Sequence, residues 1–362
     1  MKRRRERGRA ALVAAAAFKL AGRSAFLGSV LWAALVAFSG AARAFPDALG
    51  PRATAMGDAG VADARATDAL RLNPAGMALA SLYTVAADYQ FMNKEGGQSL
   101  NVGVADSTSD SKIGGGLFYG YRGASPMGLP SLGAHQAGLA LSYPLSERFL
   151  LGATVKYVHV SGGVEPDGQS NHGGVTADAG LVLRVAPGVT LGAAGYNLHD
   201  LSTVMAPLSL GYGIAFSPGG NLTLVLDALH DFTTSDPTRG VRTNVGGGAE
   251  LLLKNIVALR LGGGHDGGAR GPAGGYVTAG LAALSELGAL DASIRQDLSG
   301  TAKITTVILG LRLFVQAPQP ASSNTSLPSS TTTDGSSGLP VSPSAAPSPV
   351  QPASPSFAPE LH

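Results

Sequence analysis

From Tyr83 to Phe314 apolar residues alternate with small or polar ones at a period of two, in one run after another. The clearest run sets Tyr83, Val85, Ala87, Tyr89 and Phe91 against Thr84, Ala86, Asp88 and Gln90. Leu151, Ala153, Val155 and Tyr157 alternate with Gly152, Thr154 and Lys156, and Leu208, Leu210, Tyr212, Ile214 and Phe216 with Ser209, Gly211 and Gly213. Successive side chains of a strand point to opposite faces, so each run reads as a strand with one apolar face. Counting the runs predicts about 14 strands. The second face is mostly Gly, Ala, Ser and Thr with an occasional ion. A soluble sandwich instead shows water a charged face, so this one reads as a crowded lumen.

The connections alternate in length. Short ones fall at Pro144–Arg148, Ala186–Gly188, Ser217–Gly220, Lys254–Asn255 and Ser285–Gly288. Longer ones fall at Arg122–Ala134, Ser161–Gly173, Asp200–Ala206, Asp231–Arg242 and Asp266–Gly274. Short periplasmic turns and longer outer loops are the pattern of a membrane barrel, whose sheet must close because lipid satisfies no backbone group. Aromatic residues at strand ends, Tyr89, Phe91, Tyr119, Tyr121, Tyr157, Phe232 and Tyr276 outside and Tyr83, Tyr143 and Phe216 inside, fit two interfacial girdles. The predicted fold is all-β: a transmembrane antiparallel β-barrel of about 14 strands over residues 81–314, preceded by a luminal segment.

Composition adds the flanks. The chain has 362 residues, 51 glycines, no cysteine and 14% charged residues. No helix-length apolar run follows the N-terminal region, which removes a helical membrane protein from consideration there. Residues 1–44 read as a secretory signal, with a basic start from Lys2 to Arg9, an apolar stretch from Ala25 to Phe38, and Ala42-Arg43-Ala44 as a cleavage site. That segment carries nine Lys/Arg and one acid, a net of +8 against +2 for the whole chain, which leaves −6 for the remainder. The basic balance therefore belongs to targeting, and nucleic acid is not an expected partner. Residues 315–362 are rich in Pro, Ser and Thr, cannot bury enough surface to offset ordering, and are expected to form a disordered tail on the periplasmic side.

The stretch at 45–80 is the most distinctive. It runs Gly50-Pro51-Arg52-Ala53, Met56-Gly57-Asp58-Ala59-Gly60, Asp68-Ala69, then Asn73-Pro74-Ala75-Gly76 into the first strand. Small residues let backbone pass close to a wall, and Asn-Pro turns the chain. At Arg52, Gly57, Gly60, Asp68, Asn73, Pro74 and Ala75, with Asp58 among the same hatch residues, it resembles the FadL/TodX-type outer-membrane transporters of hydrophobic compounds, including the PorV/PorQ-like branch. Asp178-Ala179-Gly180, Leu191-Gly192, Tyr196-Asn197-Leu198 and Leu259-Arg260-Leu261-Gly262 are similar to the PorV side. The resemblance implies a hatch that plugs a 14-stranded barrel, passive passage of small hydrophobic molecules such as long-chain fatty acids, and exit through the third strand. Outer loops of roughly 7–13 residues are short for the FadL type. The alternative is a closed PorV-like barrel that docks secretion or surface-attachment proteins.

Three further sets of residues carry expectations. Gly114, Gly115 and Gly116 in the third strand either form a lateral opening or make room for the hatch. Asp88, Lys156, Asp178, Arg184, Asp227 and Arg260, with Glu250, Asp291, Arg295 and Arg312, face the lumen in nearly balanced signs. They are expected to pair with one another and with Arg52, Asp58 and Asp68. Six histidines, at 135, 159, 172, 199, 230 and 265, fall at outer strand ends or loops, and all but His172 share the lipid-facing parity. These five are expected to meet outer-membrane lipid and lipopolysaccharide. No Gly-x-Ser-x-Gly, P-loop or His-Glu-x-x-His motif is present, so no enzyme, cofactor or metal is expected.

Overall fold

A computed structural model describes residues 49–315 except 94–96, 109–111, 125–131, 163–170, 202, 204–205, 233–240, 268–273 and 300–302. The expected signal, and the tail from residue 316 onward, lie outside the described residues. The body comprises β1 (Tyr83–Met92), β2 (Gln98–Asp106), β3 (Gly114–Ala124), β4 (Leu132–Pro144), β5 (Phe149–Gly162), β6 (Asn171–Ala186) and β7 (Val189–Tyr196). It continues with β8 (Ser209–Phe216), β9 (Leu222–Asp231), β10 (Arg242–Leu253), β11 (Val257–Gly267), β12 (Gly274–Ser285), β13 (Gly288–Asp297) and β14 (Thr305–Val315). Each strand pairs antiparallel with its sequence neighbours, and β14 returns to β1 with Tyr83 opposite Val315 and Met92 opposite Thr306. The result is a closed barrel of 14 strands with no free sheet edge.

Strand lengths run from 8 to 16 residues, and a tilted strand needs about 9–11 to cross the hydrocarbon layer. The alternation predicted in β1 is observed, with Val85, Tyr89 and Phe91 exposed outward and Thr84 fully buried inward. Leu139, Val155, Leu226, Leu261 and Leu309 continue the exposed apolar band around the barrel. Across all 14 strands the outward positions hold one ionised side chain, Asp106 at a rim. A continuous apolar exterior of this kind is stable only against lipid. The connections 145–148, 187–188, 217–221, 254–256 and 286–287 lie at the end where β1 begins and β14 stops. The strand ends that flank residues 125–131, 163–170, 197–208, 232–241 and 268–273 lie at the other.

Residues 49–80 pack against inward-facing positions of the wall. They form helix α1 (Pro51–Ala55), helix α2 (Ala66–Leu72) and a 3-10 turn (Pro74–Leu79) that leads into β1. Pro51 and Pro74 open their helices, where the missing N–H costs nothing. Ala55, Ala62, Ala64, Ala69, Asn73, Ala75 and Met77 have no exposure at all. The core of the molecule is therefore the interface between this luminal segment and the inside of the barrel.

Candidate functional site

The luminal segment sits on bare backbone. A Cβ added to Gly248 of β10 would lie 2.6 Å from the Met56 Cα, and one on Gly192 of β7 at the same distance from the Ala62 Cα. On Gly152 of β5 it would lie 2.7 Å from the Ala75 Cα, and on Gly310 of β14 it would strike the Pro51 ring at 2.7 Å. Gly180 is filled by Asn73 and Pro74, and Gly280 by Ala55. At these distances any side chain on the wall displaces main chain. The inward glycines are also register partners, Gly152 with Gly180, and Gly246 and Gly248 with Gly264 and Gly262. They form a seat on the inner wall of the barrel. Gly57 has φ +76° and Asp58 φ 56°, so the chain turns back on itself against the β10–β11 glycines.

Asn73 fastens the segment at its C-terminal end. Its Nδ2 donates to the Val61 carbonyl at 2.9 Å and to the Leu181 carbonyl of β6 at 3.0 Å, while its Oδ1 accepts from the Ala75 N–H at 3.2 Å. One buried amide thus joins the loop, the wall and the 3-10 turn, using both donors and the acceptor. The Tyr196 hydroxyl adds a bond to the Leu72 carbonyl at 2.5 Å. Around this point the contact is apolar: Leu70, Leu72 and Met77 pack with Ala105, Phe118 and Ala140, and Ala75 with Leu150 and Val182.

On the opposite wall the fastening is ionic. Arg65 pairs with Asp63 at 2.7 Å, Asp63 with Arg52 at 2.7 Å, and Arg52 with Glu250 of β10 at 2.9 Å. Arg260 of β11 then bridges Glu250 at 2.6 Å and Asp291 of β13 at 2.7 Å, and Arg312 of β14 meets Asp291 at 2.9 Å. Seven charges alternate in sign along this chain. Asp58 bonds Arg295, whose guanidinium stacks 3.7 Å from the centre of the Tyr276 ring, and the Tyr276 hydroxyl donates to the Gly57 carbonyl at 2.9 Å. Burial pushes the Asp58 carboxyl above its ordinary range against the pull of Arg295. Asp227 of β9 accepts the Gly60 and Val61 N–H groups at 2.6 and 2.7 Å, so it holds backbone.

The other sequence-selected ions behave differently. Lys156 pairs with Asp178 at 2.8 Å, and Asp178 also accepts the Asn197 N–H at 2.7 Å; it fastens the 197–208 connection, not Arg52. Asp88 accepts a bond from Asn101 at 2.6 Å, and Arg184 donates to the Glu147 carbonyl at the rim. Asp68 makes no direct ion pair among the described contacts and lies within the fields of Arg312 and Arg52, with burial raising its carboxyl. Gly115 and Gly116 are paired with β2 and β4 in unbroken register, so no gap stands in the wall at Gly114–Gly116. Gly116 is instead the place where Leu70 packs, 2.5 Å from a would-be Cβ. Among the described strand pairs the ladder shifts register only between Arg184 and Ala186.

Asp63, Asp266 and the wall glycines Gly248, Gly280 and Gly310 were not singled out from sequence. The signal was present, as glycine at inward parity on strand after strand. Between α1, α2 and the strands β1, β2 and β14 remains a cavity of ≈ 40 Å³, lined by Arg52, Asp68, Leu70, Arg71, Asp88, Asn101 and Arg312 among others. At about 10–15 Å³ per water it holds roughly three waters.

Comparison with known proteins places this geometry. No protein-family model and no curated protein matches the chain. Among solved structures it is similar to CymD, a monoaromatic hydrocarbon channel, with TM-score 0.58 and 11% identity over 73% of this chain and 96% of that one. The toluene transporter TbuX of Ralstonia pickettii gives TM-score 0.57 and 12% identity, covering 74% and 98%. A FadL homologue of Pseudomonas aeruginosa gives 0.56 and 13%, covering 73% and 98%. This chain has the barrel fold of these channels and transporters, at 11–13% sequence identity.

Proposed function

We propose that the protein is a passive outer-membrane channel for small hydrophobic molecules, and that residues 49–80 are its movable closure. The observation that carries this reading is the closure itself: a luminal segment seated on side-chain-free wall in a barrel whose fold is shared with hydrocarbon channels. A glycine seat supports a plug with shape and leaves few side chains to disentangle when it moves. The apolar exterior and the division into short turns and long loops support an outer-membrane location with the long loops outside. The tail would then sit in the periplasm. Long-chain fatty acids and monoaromatic hydrocarbons are the candidate cargo.

A second reading is supported by the packing. A cavity of ≈ 40 Å³ is far below the roughly 300–1,000 Å³ of a small-molecule site. A barrel that stays shut would serve as a docking component for secretion or surface-attachment proteins. Uptake of labelled toluene and of a labelled long-chain fatty acid into liposomes carrying the protein, with a hydrophilic solute as control, separates the two. Entry of either apolar probe without the control supports the channel. Entry of neither overturns it in favour of docking.

A further inference from the structure

The lipid face carries almost no charge, yet it gathers imidazole at the rim with the long loops. His135 of β4 and His159 of β5 face outward and are direct register partners. Side chains so placed have Cβ atoms about 4.5–5.5 Å apart. The His135 Nδ1 is held by the Tyr119 hydroxyl at 2.8 Å, and its ring lies 5.0 Å from that of Tyr121. On the other side the Tyr157 hydroxyl and the His159 Nδ1 both lie over Gly173 of β6, where an added Cβ would be 2.9 Å from the hydroxyl. Two tyrosines thus hold His135, and a third shares with His159 the space over Gly173, at the boundary of the apolar band. The arrangement recurs on the far side, where His230 of β9 bonds the Tyr212 hydroxyl at 3.0 Å and the Thr243 hydroxyl at 2.9 Å.

We propose that the His135–His159 pair with its tyrosines is a binding site for the phosphate headgroup of an anionic outer-leaflet lipid, engaged when the imidazoles are protonated. The groups facing the pair are Tyr119 and Tyr121 from β3, Tyr157 from β5 and Gly173 from β6. No Lys, Arg, Asp or Glu of the described strands faces outward at this rim. Two adjacent imidazolium ions repel unless an anion lies between them, and a phosphate oxygen accepts from both. The occupant is a lipid because the site continues the surface that lipid already covers, with Tyr157 exposed and Val155 and Leu139 directly beneath. Tyrosine hydroxyls supply further donors to the same headgroup.

The test is native mass spectrometry of the full-length protein in detergent, incubated with bisphosphorylated lipid A or with the same lipid stripped of both phosphates. The wild type is expected to retain at least tenfold more bisphosphorylated lipid at pH 5.5 than at pH 8, with no such difference for the stripped lipid. His135→Gln with His159→Gln is expected to abolish the gain at pH 5.5, heat-modifiable gel migration reporting that the barrel is folded. Equal retention at both pH values, or full retention by the double variant, overturns the proposal. Should the double variant fail to fold, the comparison of the two lipids on the wild type still decides. None of these outcomes depends on whether the barrel transports anything.

Discussion

The two sides of the lumen hold the same segment by opposite means. Toward β2–β6 the contact is apolar and steric, with Leu70, Met77 and Ala75 against Phe118, Ala140 and Leu150, and Asn73 closing every polar group it brings. Toward β9–β14 it is a run of alternating charges over glycine, from Arg65 through Arg52 and Glu250 to Arg312. Apolar packing is non-directional and loses contacts one by one. A buried ion pair is directional, and removal of one partner strands the other. Under the proposed function, the ionic side is the one expected to release as a unit, with the Asn73 side as its hinge.

Substituting the seat should break both sides most severely. Gly152→Val drives a side chain into the Pro74–Ala75 main chain. The cost is expected to exceed the roughly 1–3 kcal/mol of ordinary overpacking, because backbone cannot change rotamer. Steady single-channel conductance in planar bilayers is the expected outcome. Gly115→Val points outward, meets Leu141 at 3.6 Å and the Ala140 carbonyl oxygen at 3.9 Å, both ordinary contacts, and should stay silent; leak from Gly115→Val alone would reverse the comparison. Next, Arg52→Ala removes the cation shared by Asp63 and Glu250, leaving Asp63 to Arg65 and Glu250 to Arg260 and cutting the link between segment and wall. About 3–5 kcal/mol of docking is expected to be lost. Hydrogen exchange should then speed up over residues 51–63 and not at Asn73. Uniform exchange along the segment would mean that the two sides do not act separately.

Leu70→Ala tests the apolar side, at about 2–3 kcal/mol because the gap opens onto an existing cavity. Slower recovery of a closed state after urea treatment is the readout, and no change would empty the apolar side of importance. Asp227→Asn should weaken two charge-assisted bonds to the Gly60 and Val61 N–H groups, at about 1–2 kcal/mol. The smallest effect concerns pH. Burial raises the Asp68 carboxyl when the segment is docked, so the docked form holds the proton more tightly than the released one. Docking is then favoured below the ordinary carboxylate pKa and weakens as pH rises through the docked value. Asp68→Asn should flatten that slope in hydrogen exchange measured across acidic pH.

The barrel was legible because lipid permits few alternatives. Alternation at Tyr83–Phe91 and the turns at Lys254–Asn255 and Ser285–Gly288 carry strand number, direction and closure in local patterns. The partners of Arg52 were not legible, since Glu250 lies 198 residues away and nothing local marks it over Asp178. Gly114–Gly116 left two readings open, an opening or room for the luminal segment, for a related reason. Three glycines in a strand announce close approach, and only the packed structure says that Leu70 is what approaches. Several fragments of the resemblance, Gly180, Gly192, Tyr196, Arg260 and Gly262, proved to be wall positions that touch or brace the luminal segment.

The long span of these contacts bears on how the molecule is made. Arg52 reaches its partner across 198 residues and Asp58 across 237. The ionic side of the luminal segment therefore has nowhere to dock until β10 and β13 are present. Contacts of such separation form late and slowly. Assembly must end by trapping a leading segment inside a ring that closes where β14 meets β1, next to Pro51 on Gly310. A mutation at that seam is expected to act first as a defect of biogenesis, visible as degraded or unassembled chain, before any finished barrel exists to be tested.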